Sequence, residues 1–177
     1  MGGGNVIVVK DSMVVIHLAK TTLLEKSCSY FKKVVISEMV CREILTGEEK
    51  SYPDVVIIKG LIKKGKIIVR KVKNKKLIRR VNEFNIQRGE AEAVALYWQE
   101  KADYLATDDD NVRKKSVLLN LRVIGTPAIV LNLYREGVIG GVKFEESLAE
   151  LRKIGWFSDV VIDKTLMEGL EWKKRSA

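Results

Sequence analysis

The tightest constraint on how this chain can fold is a repeated alternation of short apolar runs with longer segments carrying helix signals. Residues 5–9 (NVIVV), 34–36 (VVI), 66–70 (KIIVR), 103–106 and 122–124 are each too short for a helix with a buried stripe. The first run lacks the polar alternation of a half-exposed strand, which is the pattern of a strand covered on both faces in a parallel sheet. Between the runs lie helix starts and stops. Ser12 offers a cap before MVVIHLAK, and Ser37 offers one before a helix that reaches Leu45 and ends at Thr46 and Gly47. Residues 46–53, with Gly47 and Pro53, read as a loop, and 54–64 as a helix stopped by Gly65. Further helices are expected over 74–86, 90–101 and 110–119, from Thr126 and Pro127 to Glu136, and over 144–154 and 159–171. Strands separated by helices build βαβ units. The expected fold is α/β, a three-layer α/β/α arrangement around a mostly parallel central sheet of about five short strands.

Nothing in the pattern divides the chain. A length of 177 residues suits one core of ordinary size. With no repeat or linker, a single domain over 1–177 is expected, its core at about 5–142 and C-terminal helices at about 143–171. An apolar share of 46% and a charged share of 31% describe a globular chain with a heavily charged surface. No apolar run approaches the roughly 18 residues that cross a bilayer, and the MGGG start lacks the basic-then-apolar order of a secretory signal. The expected location is the cytoplasm, without a membrane. Cys28 and Cys41 match no metal or redox spacing and read as free thiols. His17 is the one histidine, which excludes any chemistry that needs two.

Charge is distributed unevenly along the chain. Between Lys59 and Arg80 stand eleven Lys or Arg residues and no Asp or Glu, more than the whole net charge of +9. Such a stripe concentrates phosphate-bearing partners and binds them without reading sequence. Leu61, Ile62, Ile67, Ile68, Val69, Leu77 and Ile78 interrupt it, so the charge belongs to a folded frame. A solvated lysine-rich surface would look the same.

The acids are more specific. In the run GEAEAVALYWQEKADYLATDDDNVRK, an acidic helix start and an acidic triplet flank one short strand. Ligands of open parallel sheets bind beyond the carboxyl ends of the strands. Asp11 follows the first strand, and Asp108, Asp109 and Asp110 follow the strand ending at Ala106, so they share an edge. Glu43 approaches from the helix after the second strand. Glu90 opens its helix directly after Gly89, which permits close backbone approach. Glu92 points roughly 200° around that helix from Glu90, so Glu90 is the one expected to face the site. Asp11 and Asp108 could simply cap helices, Glu90 could merely favour the positive end of its helix, and Glu43 could sit in solvent and pair with Arg42 or a neighbour. Their joint placement is what favours chemistry, because converging carboxylates repel unless protons or a cation intervene, and Mg²⁺ or Mn²⁺ takes oxygen ligands.

Taken in order, VIVVKDS, VVISEMVCREIL, GEAEAVAL, LATDDDNVRK and RVIGTPAIVLNLYREGVI resemble the PIN domain nucleases, and within them the archaeal and bacterial VapC-like group related to the toxin half of VapBC toxin–antitoxin pairs. The resemblance implies a PIN-like fold in which Asp11, Glu43, Glu90 and the Asp108 and Asp109 pair are catalytic and hold Mg²⁺ or Mn²⁺. Family members differ by one position after the threonine, so the choice between Asp108 and Asp109 stays open, with Asp110 in reserve. It implies hydrolysis of RNA phosphodiesters, by an endonuclease. Ser12 and Thr107 would orient ligands, and Arg113, Lys114, Lys75, Lys76, Arg79 and Arg80 would hold the RNA backbone. Relatives in toxin–antitoxin pairs form homodimers silenced by a small antitoxin, which makes RNA, such a protein and a second copy the implied partners. The alternative is a non-catalytic PIN-fold module binding RNA or protein, against which all matched acids are present. A haloacid-dehalogenase-like phosphatase wants an Asp where this chain has Met13.

Overall fold

The computed structural model describes residues 5–46 and 53–176. Its elements are β1 (Ile7–Lys10), α1 (Ser12–Lys20), α2 (Leu24–Tyr30), β2 (Lys33–Ser37), α3 (Glu38–Thr46), α4 (Pro53–Lys63), β3 (Ile68–Arg70), α5 (Lys75–Asn82), α6 (Arg88–Glu100), β4 (Tyr104–Ala106), α7 (Asp110–Lys114), β5 (Val123–Ile124), α8 (Thr126–Arg135), α9 (Gly141–Ile154) and α10 (Asp159–Ser176). The five strands form one sheet in the order β3-β2-β1-β4-β5, and every neighbouring pair is parallel. Val8 lies opposite both Val34 and Tyr104, which makes β1 the central strand and aligns the strand ends at one edge.

Alternation along the strands builds two cores. Val8, Val34, Ile36, Ala106 and Ile124 face one helical layer that includes Val14 and Leu18 of α1, Ile58 of α4 and Ile129 of α8. Val9, Val35 and Leu105 face Val81 of α5, Val94 and Leu96 of α6 and Val112 of α7. Odd and even strand positions thus feed opposite layers, which is the physical content of an α/β/α fold. The layered α/β architecture expected above is the one observed. Among the described residues no helix is long and apolar enough to cross a membrane.

Several boundaries differ from the sequence expectation. Helix α2 was not anticipated; its buried stripe of Leu24, Ser27 and Cys28 contains only one aliphatic residue. Strand β3 begins at Ile68 because residues 64–67 turn out of α4. Helix α5 stops at Asn82, and the chain passes through left-handed Asn85 and enters α6 at left-handed Arg88. Helix α7 likewise ends at Lys114 and gives way to turns, with Asn120 left-handed. The cap of α1 is Asp11, whose side chain accepts from the Val14 amide, and not Ser12. The expected loop over 46–53 lies largely outside the described residues.

One burial runs against the pattern. Lys10, at the end of β1, is wholly buried on the same face as Val8. Its Nζ donates to Ser27 Oγ at 2.5 Å and lies 5.4 Å from the centre of the Phe31 ring. Burial lowers its pKa to about 8, with Cys28 pulling slightly the other way. In the unfolded chain the same group titrates near its ordinary value, so below pH 8 the native state carries the full cost of a desolvated charge. Stability therefore rises between pH 8 and about 10.5, by on the order of 3 kcal/mol. Lys10→Met, which fits a similar volume without charge, is expected to raise the melting temperature at pH 7 and to lose that advantage by pH 10.5. A lower melting temperature than wild type at pH 7 would show that the ammonium is net attractive where it sits.

Candidate functional site

The parallel register carries the end of β1 to the end of β4. The Asp11 amide donates to the Ala106 carbonyl at 3.0 Å, prolonging the β1–β4 ladder by one residue. The Asp11 backbone stays extended, so its side chain turns back over the first turn of α1, where Oδ1 accepts from the Val14 amide at 2.9 Å. Oδ2 is buried with no hydrogen-bond partner. Only 3% of the residue is exposed. Burial pushes its pKa up to about 7; the nearby Thr107 hydroxyl and the Val14 amide oppose that, and the charges of Asp108 and Glu90 add to it. A buried oxygen left unpaired costs roughly 1–3 kcal/mol or more if charged, so a proton or a cation belongs there.

Glu90 couples the rest of the cluster. It stands in the first turn of α6, half-buried, and burial raises its pKa, with Glu43 and Asp109 adding repulsion. Its own backbone amide and Arg88 act the other way. Glu43 reaches across from α3, and its Oε1 accepts from the Gly89 amide at 3.1 Å. A Cβ at Gly89 would lie 2.4 and 2.6 Å from the two Glu43 carboxylate oxygens, so only glycine admits this approach. The pair also places negative charge at the positive end of α6. Glu92 is directed elsewhere, accepting from the Met39 amide at 3.0 Å and so capping α3.

The acids after β4 differ in what they bind. The Asp108 carboxylate accepts from the Thr126 amide at 2.7 Å, the Thr126 hydroxyl at 2.5 Å and His17 Nδ1 at 2.9 Å. Asp109 donates its amide to Thr107 Oγ1 at 3.1 Å, and its Oδ1 accepts from the Val112 amide at 2.7 Å, capping α7. Asp110 is exposed in the first turn of α7. Electrostatic coupling therefore links Asp11 to Asp108 and Glu90, and Glu90 to Glu43 and Asp109. Among the described residues, no three His, Cys, Asp or Glu side chains close tightly enough on one point to enclose an ion. An all-oxygen donor set with one orphaned buried oxygen nevertheless suits a hard divalent cation better than a soft one.

The other expected residues fall into two groups. Ser12 heads α1 beside Asp11, and Thr107 joins Asp109 as described. Arg113 is exposed and donates to the Thr107 carbonyl at 3.4 Å, beside Gly125, with Lys114 exposed next to it. Lys75, Lys76, Arg79 and Arg80 are exposed on α5. The Lys73 amide and the Lys71 carbonyl bond to Gln99, and Arg80 lies 5.5 Å over the Trp98 ring. Both anchors are in the last turns of α6, about 12–14 Å along that helix from Glu90. Sequence reasoning overlooked His17, Thr126, Arg88 and Trp156 at the site. Thr126 had appeared only as a helix start, and the remaining three carry no local signal.

A parallel five-stranded sheet with several carboxylates at its carboxyl edge defines the class: an α/β domain with an acidic edge. Within that class the chain belongs to the PIN domain family, since the DUF3368 family model, described as a PIN domain, matches residues 7–169. PIN domains are in general metal-dependent nucleases acting on RNA. No curated protein and no solved structure matches the chain.

The raised pKa of Asp11 has a definite sign in stability. Its unfolded value is near 3.8 and its native value about 7. The native state keeps a proton that the unfolded chain loses between those values, so the stability this proton contributes, on the order of 4 kcal/mol, is present in full below about pH 4, falls as pH rises through that window and is gone above about pH 7. Asp11→Asn keeps a capping oxygen without the charge. In EDTA it is expected to melt well above wild type at pH 8, with the difference shrinking towards pH 4; a difference independent of pH would contradict the burial argument. Gly89→Ala tests the Glu43 approach, because the added methyl meets the flexible end of a side chain. It should leave the melting temperature within a few degrees of wild type while lowering nuclease activity roughly tenfold. Unchanged activity would show that Glu43 is not needed where it stands.

Proposed function

We propose that this chain is a metal-dependent ribonuclease, an endonuclease of the VapC-like kind, that hydrolyses RNA phosphodiesters. The observation that carries the reading is the buried, unpartnered Oδ2 of Asp11 within electrostatic range of Glu90, which is itself coupled to Glu43 and Asp109. Asp11, Glu43, Glu90 and Asp109 would hold Mg²⁺ or Mn²⁺. Bound there, the ion supplies charge for a phosphoryl oxygen and acidifies water.

The chain's own residues do the positioning. Asp108 is the less suitable ligand of its pair, because three donors occupy its carboxylate and a Cβ at Gly125 would sit 3.2 Å from its Oδ1. Its role is to brace β4 against α8 and α1, which fixes Asp109. Thr107 restrains Asp109 through the amide that its hydroxyl accepts. Ser12 lies close enough in sequence to assist Asp11. Arg113 and Lys114 would take an RNA phosphate beside the acids, while Lys75, Lys76, Arg79 and Arg80 would engage other phosphates and add salt-sensitive affinity.

Kinship with VapC-type toxins would give the chain a cytoplasmic setting, a homodimeric state and a small antitoxin that covers the acidic groove. Finding a short reading frame directly upstream that encodes a DNA-binding protein would support that setting. Growth unaffected by induced expression, with no such frame, supports a housekeeping nuclease.

The central test is cleavage of labelled single-stranded RNA in Mn²⁺ by wild type, Asp11→Asn and Asp109→Asn. Both variants are expected to lose activity by at least about 100-fold, and EDTA should silence the wild type. Equal cleavage by wild type and Asp11→Asn would remove the proposed site. RNA binding without any cleavage by the wild type would favour the non-catalytic module.

A further inference from the structure

Beside the acids stands an aromatic side chain that the hydrolytic scheme does not use. Trp156 lies in the short connection between α9 and α10, directly after Gly155, whose left-handed backbone caps α9 and turns the chain. Its indole Nε1 donates to the Asp108 carbonyl at 3.3 Å. Its ring centre is 6.0 Å from that of buried His17, and Phe157 holds the same histidine edge-on at 5.2 Å. Despite these anchors, 52% of Trp156 is exposed. Among the described residues, the other large apolar side chains with similar or greater exposure, such as Val117, Val142, Val160 and Met167, are not aromatic. An indole is large and rigid, so leaving half of it in water while pinning its nitrogen needs an explanation that burial alone does not give.

The position supplies one. Two successive carbonyls at the end of β4 are engaged by different side chains: Thr107 accepts from Arg113, and Asp108 accepts from Trp156. A guanidinium and an aromatic ring are therefore anchored on adjacent residues, immediately before Asp109. That pairing matches the two halves of a nucleotide. An exposed cation takes the phosphate, and an aromatic face takes the base, whatever its identity, because every base has a π-face. Single-stranded RNA fits better than duplex, since stacking requires an unpaired base.

We propose that Trp156 is a nucleobase-stacking platform at the edge of the acidic site, and that Arg113 receives a phosphate of the same bound single strand. The proposal rests on the nucleic-acid reading given above, and it adds a positioning subsite that favours unpaired, base-bearing RNA without choosing among bases. Stacking on Trp156 would seat the strand so that a neighbouring phosphodiester meets the carboxylates.

The test uses full-length protein carrying Asp11→Asn, so that RNA is bound without being cut. Binding of a fluorescein-labelled single-stranded oligoribonucleotide is compared with that of an abasic ribose-phosphate oligomer of equal length. Adding Trp156→Ala should weaken the base-bearing oligomer at least about fivefold and leave the abasic one unchanged. Trp156→Phe should recover most of the affinity because it retains a ring, whereas Arg113→Ala should weaken both oligomers. Independently of any folding defect in the alanine variant, Trp emission should be quenched by the base-bearing oligomer only, and the quenching should disappear in Trp156→Phe. Equal losses on both oligomers, or quenching that survives Trp156→Phe, would overturn the proposal. The two readings fail separately. Base-dependent binding without cleavage by wild type would leave the platform and remove the nuclease, while cleavage abolished by Asp11→Asn with no Trp156 effect would do the reverse.

Discussion

The parallel pairing of β1 with both β2 and β4 is the constraint on which everything else depends. Because Val8 and Val9 are buried on opposite faces, β1 cannot slip by one residue without exchanging its two cores. That register delivers Asp11 to the Ala106 carbonyl and so to the threonine and acids that follow β4. From β2 the same alignment launches α3, which carries Glu43, and the return path of α6 starts with Glu90 at the same edge. The site follows from strand register, assembled from four segments none of which could form it alone.

Assembling it has a cost that is visible in the residues. Burial and mutual repulsion raise the pKa values of Asp11 and Glu90, and Asp11 Oδ2 has no hydrogen-bond donor. Local hydrogen bonds offset part of this: the caps of α1 and α7 are Asp11 and Asp109 themselves, and Glu43 rests on the Gly89 amide. The same carboxylates thus serve as helix caps and as acids at one edge. A cap uses one carboxylate oxygen and leaves the other, so capping a helix and binding a cation are compatible roles. Asp108 differs in having its carboxylate engaged by Thr126 and His17, which makes it a brace.

Much of this was legible in the sequence, and the reasons are physical. Unbroken apolar runs such as VIVV mark strands covered on both faces, so the parallel sheet could be read directly. The edge containing Asp11 and the acids after Ala106 followed from sheet topology, and Gly89 beside Glu90 announced a close approach. Helix α2 was not legible because Ser27 and Cys28 replace aliphatic residues in its buried stripe. Lys10 was not legible either, since a lysine at a strand end reads as exposed and only the packing of Ser27 and Phe31 shows otherwise. The basic stripe was visible as charge, but its direction was not: the ties from Lys71 and Lys73 to Gln99 set the start of α5 beside the last turn of α6. Partners far apart in sequence, such as His17 with Asp108 and Trp156 with the same residue, leave no local mark.

On the proposed reading, acids from four segments would form one divalent-cation centre at the carboxyl edge of the sheet. Anomalous scattering from crystals grown with Mn²⁺ locates such a centre. A peak within coordination distance of Asp11 Oδ2, with oxygens of Glu90 and Asp109 turned towards the same point, is the predicted result. A fully occupied peak elsewhere on the molecule, with the Asp11 edge empty at saturating Mn²⁺, would contradict it.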